Sequence, residues 1–324
     1  MDILTEISNP SLKIPYEGTI IASHTSDLQK WTIMDTKCQG PTLFINGQLQ
    51  SCKNDEYIYH EMFVHPLLCG SIQPKNILIF GGAEGCTLRE VLRWPSVESV
   101  IQVDWDKDLV SYFQTEEGST WNGGAYKDPR VQLHFIDAFR WIQSCTQSFD
   151  AVFLDLLDPT CSDADYLFYT QLLIYIKSHL SPGGGITINA GQVGPGNSLA
   201  AERLALFLKQ QFPSSRFHRF ATRVFIPSFL GEWCFLTITH KSWSINFHEC
   251  SLMSNLMSNL SSLRRFTHSE LIHNHWPPDY PSALANFSGD NTSPSSIDSS
   301  SPKKLETDWI DFEYHRGEYD ELYF

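Results

Sequence analysis

The sequence predicts an α/β protein: a small N-terminal antiparallel β-domain followed by a Rossmann-like doubly wound sheet. Three observations predict it. Residues 1–70 alternate short β-type runs with turn signals, as in PTLFINGQLQS, where Asn46 and Gly47 mark a tight hairpin. From residue 75 the rhythm changes to apolar strand runs alternating with helical patterns across short connections. The first five of those strand runs end in glycine or an acid.

The elements follow in order. GTIIASHTSDLQKWTIMDT and PTLFINGQLQS supply the N-terminal strands, and DEYIYHEMFVHPLL shifts toward helix. KNILIFGG is the first core strand and CTLREVLRW the helix after it. SVIQVDWD is the second strand, ending at Asp104 and Asp106, and KDLVSYFQTE its helix. VQLHFID is the third, ending at Asp137, followed by helical AFRWIQSC. AVFLD is the fourth, followed by a helix around YLFYTQLLIYIKSHL. PGGGITINAG and the helix LAAERLALFLKQQF come next, and RVFIPSF and WCFLTITH close the domain as an antiparallel pair. The expected division is 1–70 for the β-domain, 71–245 for the Rossmann-like catalytic domain, 246–285 for a helical extension and 286–324 for a disordered acidic tail. The echo LMSN-LMSN at 252–259 reads as part of a packing helix, with Leu252, Leu256 and Leu260 on one face.

Composition narrows the function. The 324 residues, 42% of them hydrophobic, suffice for a sizeable core. A net charge of −14 argues against a grip on nucleic-acid phosphates and tilts toward a cationic ligand. The eight cysteines show no metal-ligand spacing, so scattered reduced thiols and no metal site are expected. MDILTEISNP lacks an apolar signal region and no window reaches a membrane span. The expected location is cytoplasmic.

The chemistry gathers at strand ends. In an open parallel sheet, ligands bind beyond the carboxyl ends of the strands. The first strand ends in Gly81, Gly82, Ala83, Glu84 and Gly85, a turn that brings backbone close to a ligand at a helix N-terminus. The second ends at Asp104, about twenty residues on, where an acid hydrogen-bonds ribose hydroxyls in nucleoside-binding sheets. The third ends at Asp137 and Ala138, in reach of a base edge, although an Asp there equally serves as a helix cap. The fourth ends at Asp155, with Asp158 just beyond. Singly these are common features. Four acids at four successive strand ends suit a nucleoside, and the absence of G-x-G-x-x-G argues against a dinucleotide. The pattern resembles the S-adenosylmethionine-methyltransferase type of sheet.

A more specific likeness follows. GQLQSCKNDEYIYHEMFVHPLL, GGAEGCTLREVLRWPSVESV, DLLDP and IPSF followed by Trp together resemble the polyamine aminopropyltransferases, the spermidine/spermine synthase family, and within it the thermospermine synthase branch. The resemblance covers about residues 15–245. It implies a transferase of polyamine biosynthesis that moves the aminopropyl group of decarboxylated S-adenosylmethionine, a co-substrate rather than a bound cofactor, to a polyamine. Asp155 would be the general base and Tyr59 would line the site beside it. Gln50, His60, Gly81, Gly82, Glu84, Asp104, Asp137 and Ala138 would hold the donor. Asp158, Phe229 and Trp233 would hold the acceptor, with Glu232 as an extra anchor for a cation. The family also implies a homo-oligomer, dimer or tetramer. The chain departs from the family at Ala83, where a third glycine is usual, at Asn46, where Asp is usual, and at Asn189, where Gln is common. Phe229 replaces the Tyr of spermidine synthases, as in the thermospermine branch. Two other readings compete: an S-adenosylmethionine-dependent amine N-methyltransferase on the same scaffold, and a catalytically degenerate binding protein.

Overall fold

Five N-terminal strands form an antiparallel meander in chain order: β1 (Asp2–Asn9), β2 (Leu12–Thr25), β3 (Lys30–Thr36), β4 (Gly40–Ile45) and β5 (Gln48–Cys52). The computed structural model describes residues 2–9, 12–69, 73–194 and 197–241, with Leu263, Leu284 and Phe287. The β4–β5 hairpin turns at Asn46 and Gly47, both in the left-handed region (φ 50° and 79°), as its two-residue turn requires.

Helix α1 (Glu56–Cys69) follows. Twelve of its fourteen residues are buried, so it reads as a core helix rather than an amphipathic one. Pro66 inside it would ordinarily break a helix. Here Phe63, Val64, Leu67 and Leu68, all fully buried, hold the turns on either side of it. These residues pack into the core of the second sheet beside Ile77, Phe153 and Phe235, so α1 belongs structurally with that sheet.

The second sheet has seven strands: β6 (Asn76–Gly81), β7 (Ser99–Asp104), β8 (Val131–Phe135), β9 (Phe149–Asp155), β10 (Leu180–Val193), β11 (Phe217–Ile226) and β12 (Gly231–His240). Their spatial order is β11-β12-β10-β9-β6-β7-β8. β6 to β10 are mutually parallel, while β12 runs antiparallel to both its neighbours. Helices α2 (Cys86–Leu92), α3 (Lys107–Gln114), α5 (Ala138–Ser144), α6 (Asp163–Ser178) and α7 (Leu199–Gln211) connect the strands. A short α4 (Ser119–Asn122), absent from the sequence reading, lies between α3 and β8. The chain leaves β6 toward β7 on one side and later continues from β9 toward β10 on the other. The order therefore reverses between β6 and β9, and a crevice opens at the strand ends there.

The N-terminal sheet joins this domain through a shared core. Trp31, Ile33 and Leu43 pack with Ala83, Cys86, Leu109, Val110, Phe113 and Trp121. Gln29 Nε2 adds a buried hydrogen bond to Asp106 Oδ2 at 2.7 Å. The expected helical extension, apart from Leu263 and Leu284, and the leucine echo lie outside the described residues, as does most of the expected tail. Phe287 is 1% exposed in the core beneath α6 and α7, and its carbonyl accepts from Arg219 Nε at 3.1 Å. Phe287 falls within the segment expected as tail, the rest of which lies outside the described residues. Among the described residues no helix is long and apolar enough to cross a membrane.

Candidate active site

The Gly-rich turn and Asp155 meet at the crevice. Gly81 pairs directly with Asp155 across β6 and β9, and Gly82 N–H donates to the Asp155 carbonyl at 3.0 Å. A Cβ on Gly81 would lie 2.1 Å from that carbonyl oxygen, and one on Gly82 would lie 2.8 Å from Asp155 Oδ2. Both residues have positive φ, 78° and 68°. These two glycines therefore make room for the carboxylate itself, not only for a ligand. Gly82→Ala is expected to displace Asp155 and to lose most activity while the cooperative melt survives. Wild-type turnover in that variant would show the clearance to be unnecessary.

The turn is held from behind. Gln102 Nε2 donates to the carbonyls of Gly81 and Gly82, both at 2.8 Å. Tyr126 Oη donates to Ala83 O at 2.7 Å and Asn122 Nδ2 to Glu84 O at 2.9 Å. Ala83, where a third glycine is usual in the family, is buried in the core shared with the N-terminal sheet.

Asp155 is clamped by two donors. Tyr59 Oη reaches Oδ1 at 2.9 Å and Thr87 Oγ1 reaches Oδ2 at 2.5 Å. Burial pushes the carboxyl up to about 6, with Glu84 adding to the rise, while His60, Thr87 and Tyr59 oppose it. Burial, with Asp155, Asp158 and Glu84 nearby, drives the Tyr59 phenol well above its ordinary range, so it stays a neutral donor. Asp104, at the end of β7, is pushed to about 7 by burial, reinforced by Asp106, Glu84 and Asp155 and opposed by the Asp106 N–H that it accepts at 2.8 Å. Burial thus raises both acids at the ends of β9 and β7, Asp155 and Asp104.

Behind Glu84 lies a buried charge chain. His60 Nε2 meets Glu84 Oε1 at 3.1 Å and His60 Nδ1 meets Glu56 Oε2 at 2.9 Å. Arg89 bridges both Glu56 oxygens at 2.9 Å. Burial would lower the imidazole pKa, but its hydrogen bonds to Glu56 and Glu84 outweigh that and hold it at about 10. His60 was expected to contact the donor. The residue is 2% exposed, both ring nitrogens are hydrogen-bonded, to Glu56 and to Glu84, and the ring centroid lies 4.9 Å from that of Tyr59. Glu56, His60 and Cys86 offer ligand-type atoms within 4.8 Å of one another. Arg89 already supplies the positive charge there, with one guanidinium nitrogen 3.7 Å from Cys86 Sγ.

The remaining expected residues are distributed as follows. Asp158 Oδ1 accepts from Asn189 Nδ2 at 2.8 Å and Trp233 Nε1 at 3.1 Å. Asn189 thus serves in place of a longer Gln by fixing Asp158. Trp233 packs on Phe229 with ring centroids 4.5 Å apart. Phe229 sits on a short 3-10 turn, Pro227–Phe229, that is tied back to the start of α1 by Ser228 N–H donating to Asp55 Oδ2 at 2.7 Å. The Glu232 carboxylate pairs with Arg223 of β11. Asp137 caps α5, its Oδ1 accepting from Arg140 N–H at 3.0 Å; Ala138 beside it is buried. Gln50 is the extra residue of a β-bulge in β5, between the pairs Leu43–Ser51 and Phe44–Leu49. The sequence reading missed Thr87, Glu56, Arg89, Gln102, Tyr126 and Asn122. Only Glu56 carried a signal, its spacing of four from His60 on a helix.

A seven-stranded sheet with its crevice at the reversal point, glycines clearing an acid and further acids around them, defines a Rossmann-like fold of the methyltransferase type. Residues 56–249 match the family described as Spermine/spermidine synthase domain. A polyamine aminopropyltransferase of Synechococcus is 38% identical over 198 residues, 60% of this chain and 63% of that protein. One of Saccharolobus islandicus is 35% identical over 220 residues, 67% of this chain and 71% of that protein. Two solved structures share the fold at 20% identity: a spermidine synthase in complex with the transition-state analogue AdoDATO (TM-score 0.72, 85% of this chain and 92% of that one) and the spermidine synthase of Thermotoga maritima (TM-score 0.69, 86% and 92%). The chain belongs to the spermine/spermidine synthase family, a family of transferases whose curated relatives are polyamine aminopropyltransferases.

Proposed function

We propose that this chain transfers the aminopropyl group of decarboxylated S-adenosylmethionine to a polyamine and releases methylthioadenosine. Spermidine, giving thermospermine or spermine, is the acceptor we favour, ahead of putrescine giving spermidine. The observation that carries the reading is Asp155, clamped by Tyr59 and Thr87 at the reversal point of the sheet among further acids. An alkylammonium with a pKa of about 10 is almost wholly protonated at neutral pH and cannot attack. Asp155 attracts it and takes one proton, leaving a neutral amine and a carboxylic acid. The amine nitrogen then attacks the methylene next to sulfur. The C–S bond breaks toward sulfur, and the sulfonium becomes a neutral thioether as the new C–N bond forms. The chain's task is to hold two cations in line and move one proton.

In this reading Asp104 holds the ribose hydroxyls, Asp137 and the backbone at Ala138 hold the adenine, and Gly81, Gly82 and Gln50 line the donor. Glu84, oriented by His60, holds the donor's amine. Asp158, Trp233 and Phe229 hold the acceptor. No permanent cofactor is needed, and the enzyme works in the cytoplasm as a homo-oligomer.

Two measurements on donor binding test this. Cations entering a site with acids near 6 and 7 favour their ionised forms, so donor binding at pH 6.5 should release protons. Calorimetry in two buffers of different ionisation heat reads that release, and identical heats would mean that the acids do not face the donor. Intact S-adenosylmethionine would set its carboxylate against Glu84 and should bind roughly tenfold or more weakly than the decarboxylated donor. Tighter binding of the intact form would favour the N-methyltransferase reading.

A further inference from the structure

We propose that Thr87 is a positioning residue for Asp155: its hydroxyl fixes Oδ2 while Tyr59 fixes Oδ1, so the carboxyl keeps one orientation in both of its protonation states. The inference rests on the reading of Asp155 as the base.

The geometry carries it. Thr87 is the second residue of α2, is fully buried, and points its one hydroxyl proton at Asp155 Oδ2, 2.5 Å away. A threonine in a helix ordinarily bonds the carbonyl one turn back. Here that carbonyl, Ala83 O, accepts from Tyr126, and the Thr87 hydroxyl is left for Asp155. The missing Cβ of Gly82 keeps the same oxygen clear, since an added methyl would stand 2.8 Å from it. Turn and helix together therefore specify one side-chain conformation for Asp155.

A hydroxyl also does what a purely structural contact cannot. It donates to the carboxylate before proton transfer, and by rotating it accepts from the carboxylic acid afterwards. The proton gained from the ammonium then resides on Asp155 without the side chain losing its partner. Valine has the same shape as threonine and neither capability. The other groups facing Asp155 are Tyr59 and His60 from α1, Glu84 from the turn, Asp104 from β7, Tyr169 from α6 and Asp158 beyond its own strand. None of these changes in a Thr87 variant.

The test uses Thr87→Val and Thr87→Ser in the full chain. The Asp155 carboxyl is followed by carbon-13 NMR titration, assigned by its disappearance in Asp155→Asn, and kcat and KM are measured across pH. With the donor hydroxyl lost, Thr87→Val should titrate at higher pH and carry the acid limb of its rate profile with it. Its kcat should fall about fivefold or more with the donor KM nearly unchanged, and Thr87→Ser should restore both. An unshifted titration in Thr87→Val, or a Thr87→Ser variant no better than Thr87→Val, would overturn the proposal. Should Thr87→Val lose its cooperative melt, Thr87→Ala supplies the same comparison with Thr87→Ser. The titration needs no substrate, so it judges Thr87 even where an absence of turnover counts against the reaction itself.

Discussion

Asp155→Asn should lower turnover by roughly two orders of magnitude or more while donor binding persists. The amide keeps the size of the carboxyl and one oxygen acceptor, so Tyr59 can still be met and the turn at Gly81 and Gly82 need not move. What it loses is the capacity to take a proton from an ammonium group. The loss should therefore fall on kcat, with the donor's KM little altered. In the wild-type chain the same group should appear as an acid limb in kcat/KM near pH 6, where Asp155 gives up its proton to become the base. Steady-state kinetics across pH 5–9 for both proteins check this. Turnover of the variant within a few-fold of wild type would remove Asp155 from the role.

Glu56→Ala should cost about 3–5 kcal/mol of stability, the usual consequence of stranding buried charges. Its carboxylate is 3% exposed and answers both Arg89 and His60. Without it two cations are left, with Glu84 the one carboxylate still paired to the imidazole, whose Nδ1 keeps the backbone carbonyl of residue 56, and Glu90 still beside the guanidinium. Urea unfolding at neutral pH measures the loss, and a change below about 1 kcal/mol would mean that the chain is not stabilising. The pH dependence has a defined sign. Burial acts to raise Glu56, but His60 and Arg89 outweigh it and lower the group from 4.5 to about 2. Its contribution is thus present above pH 4.5 and is lost as pH falls through 2. His60 is raised from 6.5 to about 10, so its contribution is full below pH 6.5 and is lost as pH rises through 10. Stability from this pair should form a plateau between about pH 4.5 and 6.5, and Glu56→Gln should flatten both flanks.

Much of the fold was legible because its signals are local. Apolar strands ending in glycine or an acid, alternating with helices, specify a doubly wound sheet without knowledge of any contact. The hairpin at Asn46 and Gly47 is a two-residue signal and needs nothing else. The strand-end rule placed Glu84, Asp104 and Asp155 around one crevice. What stayed hidden depends on neighbours distant in sequence. Thr87 looks like any residue in a first helical turn, and only the folded chain sets it against a residue 68 positions away. Gln102, Tyr126 and Asn122 come from three separate segments to satisfy one turn. Glu232 looked like a spare acid because Arg223 reaches it only after β11 and β12 pair. His60 pairs with Glu84, 24 positions away, only in the folded chain.

The most direct test of the central claim is a product analysis by mass. Purified full-length protein is offered decarboxylated or intact S-adenosylmethionine, each with putrescine, spermidine or other amines. The account predicts gain of one aminopropyl unit, with the decarboxylated donor only, on spermidine in preference to putrescine, and equimolar methylthioadenosine. Gain of a methyl group from the intact donor, or no product from folded protein with any pairing, would contradict it.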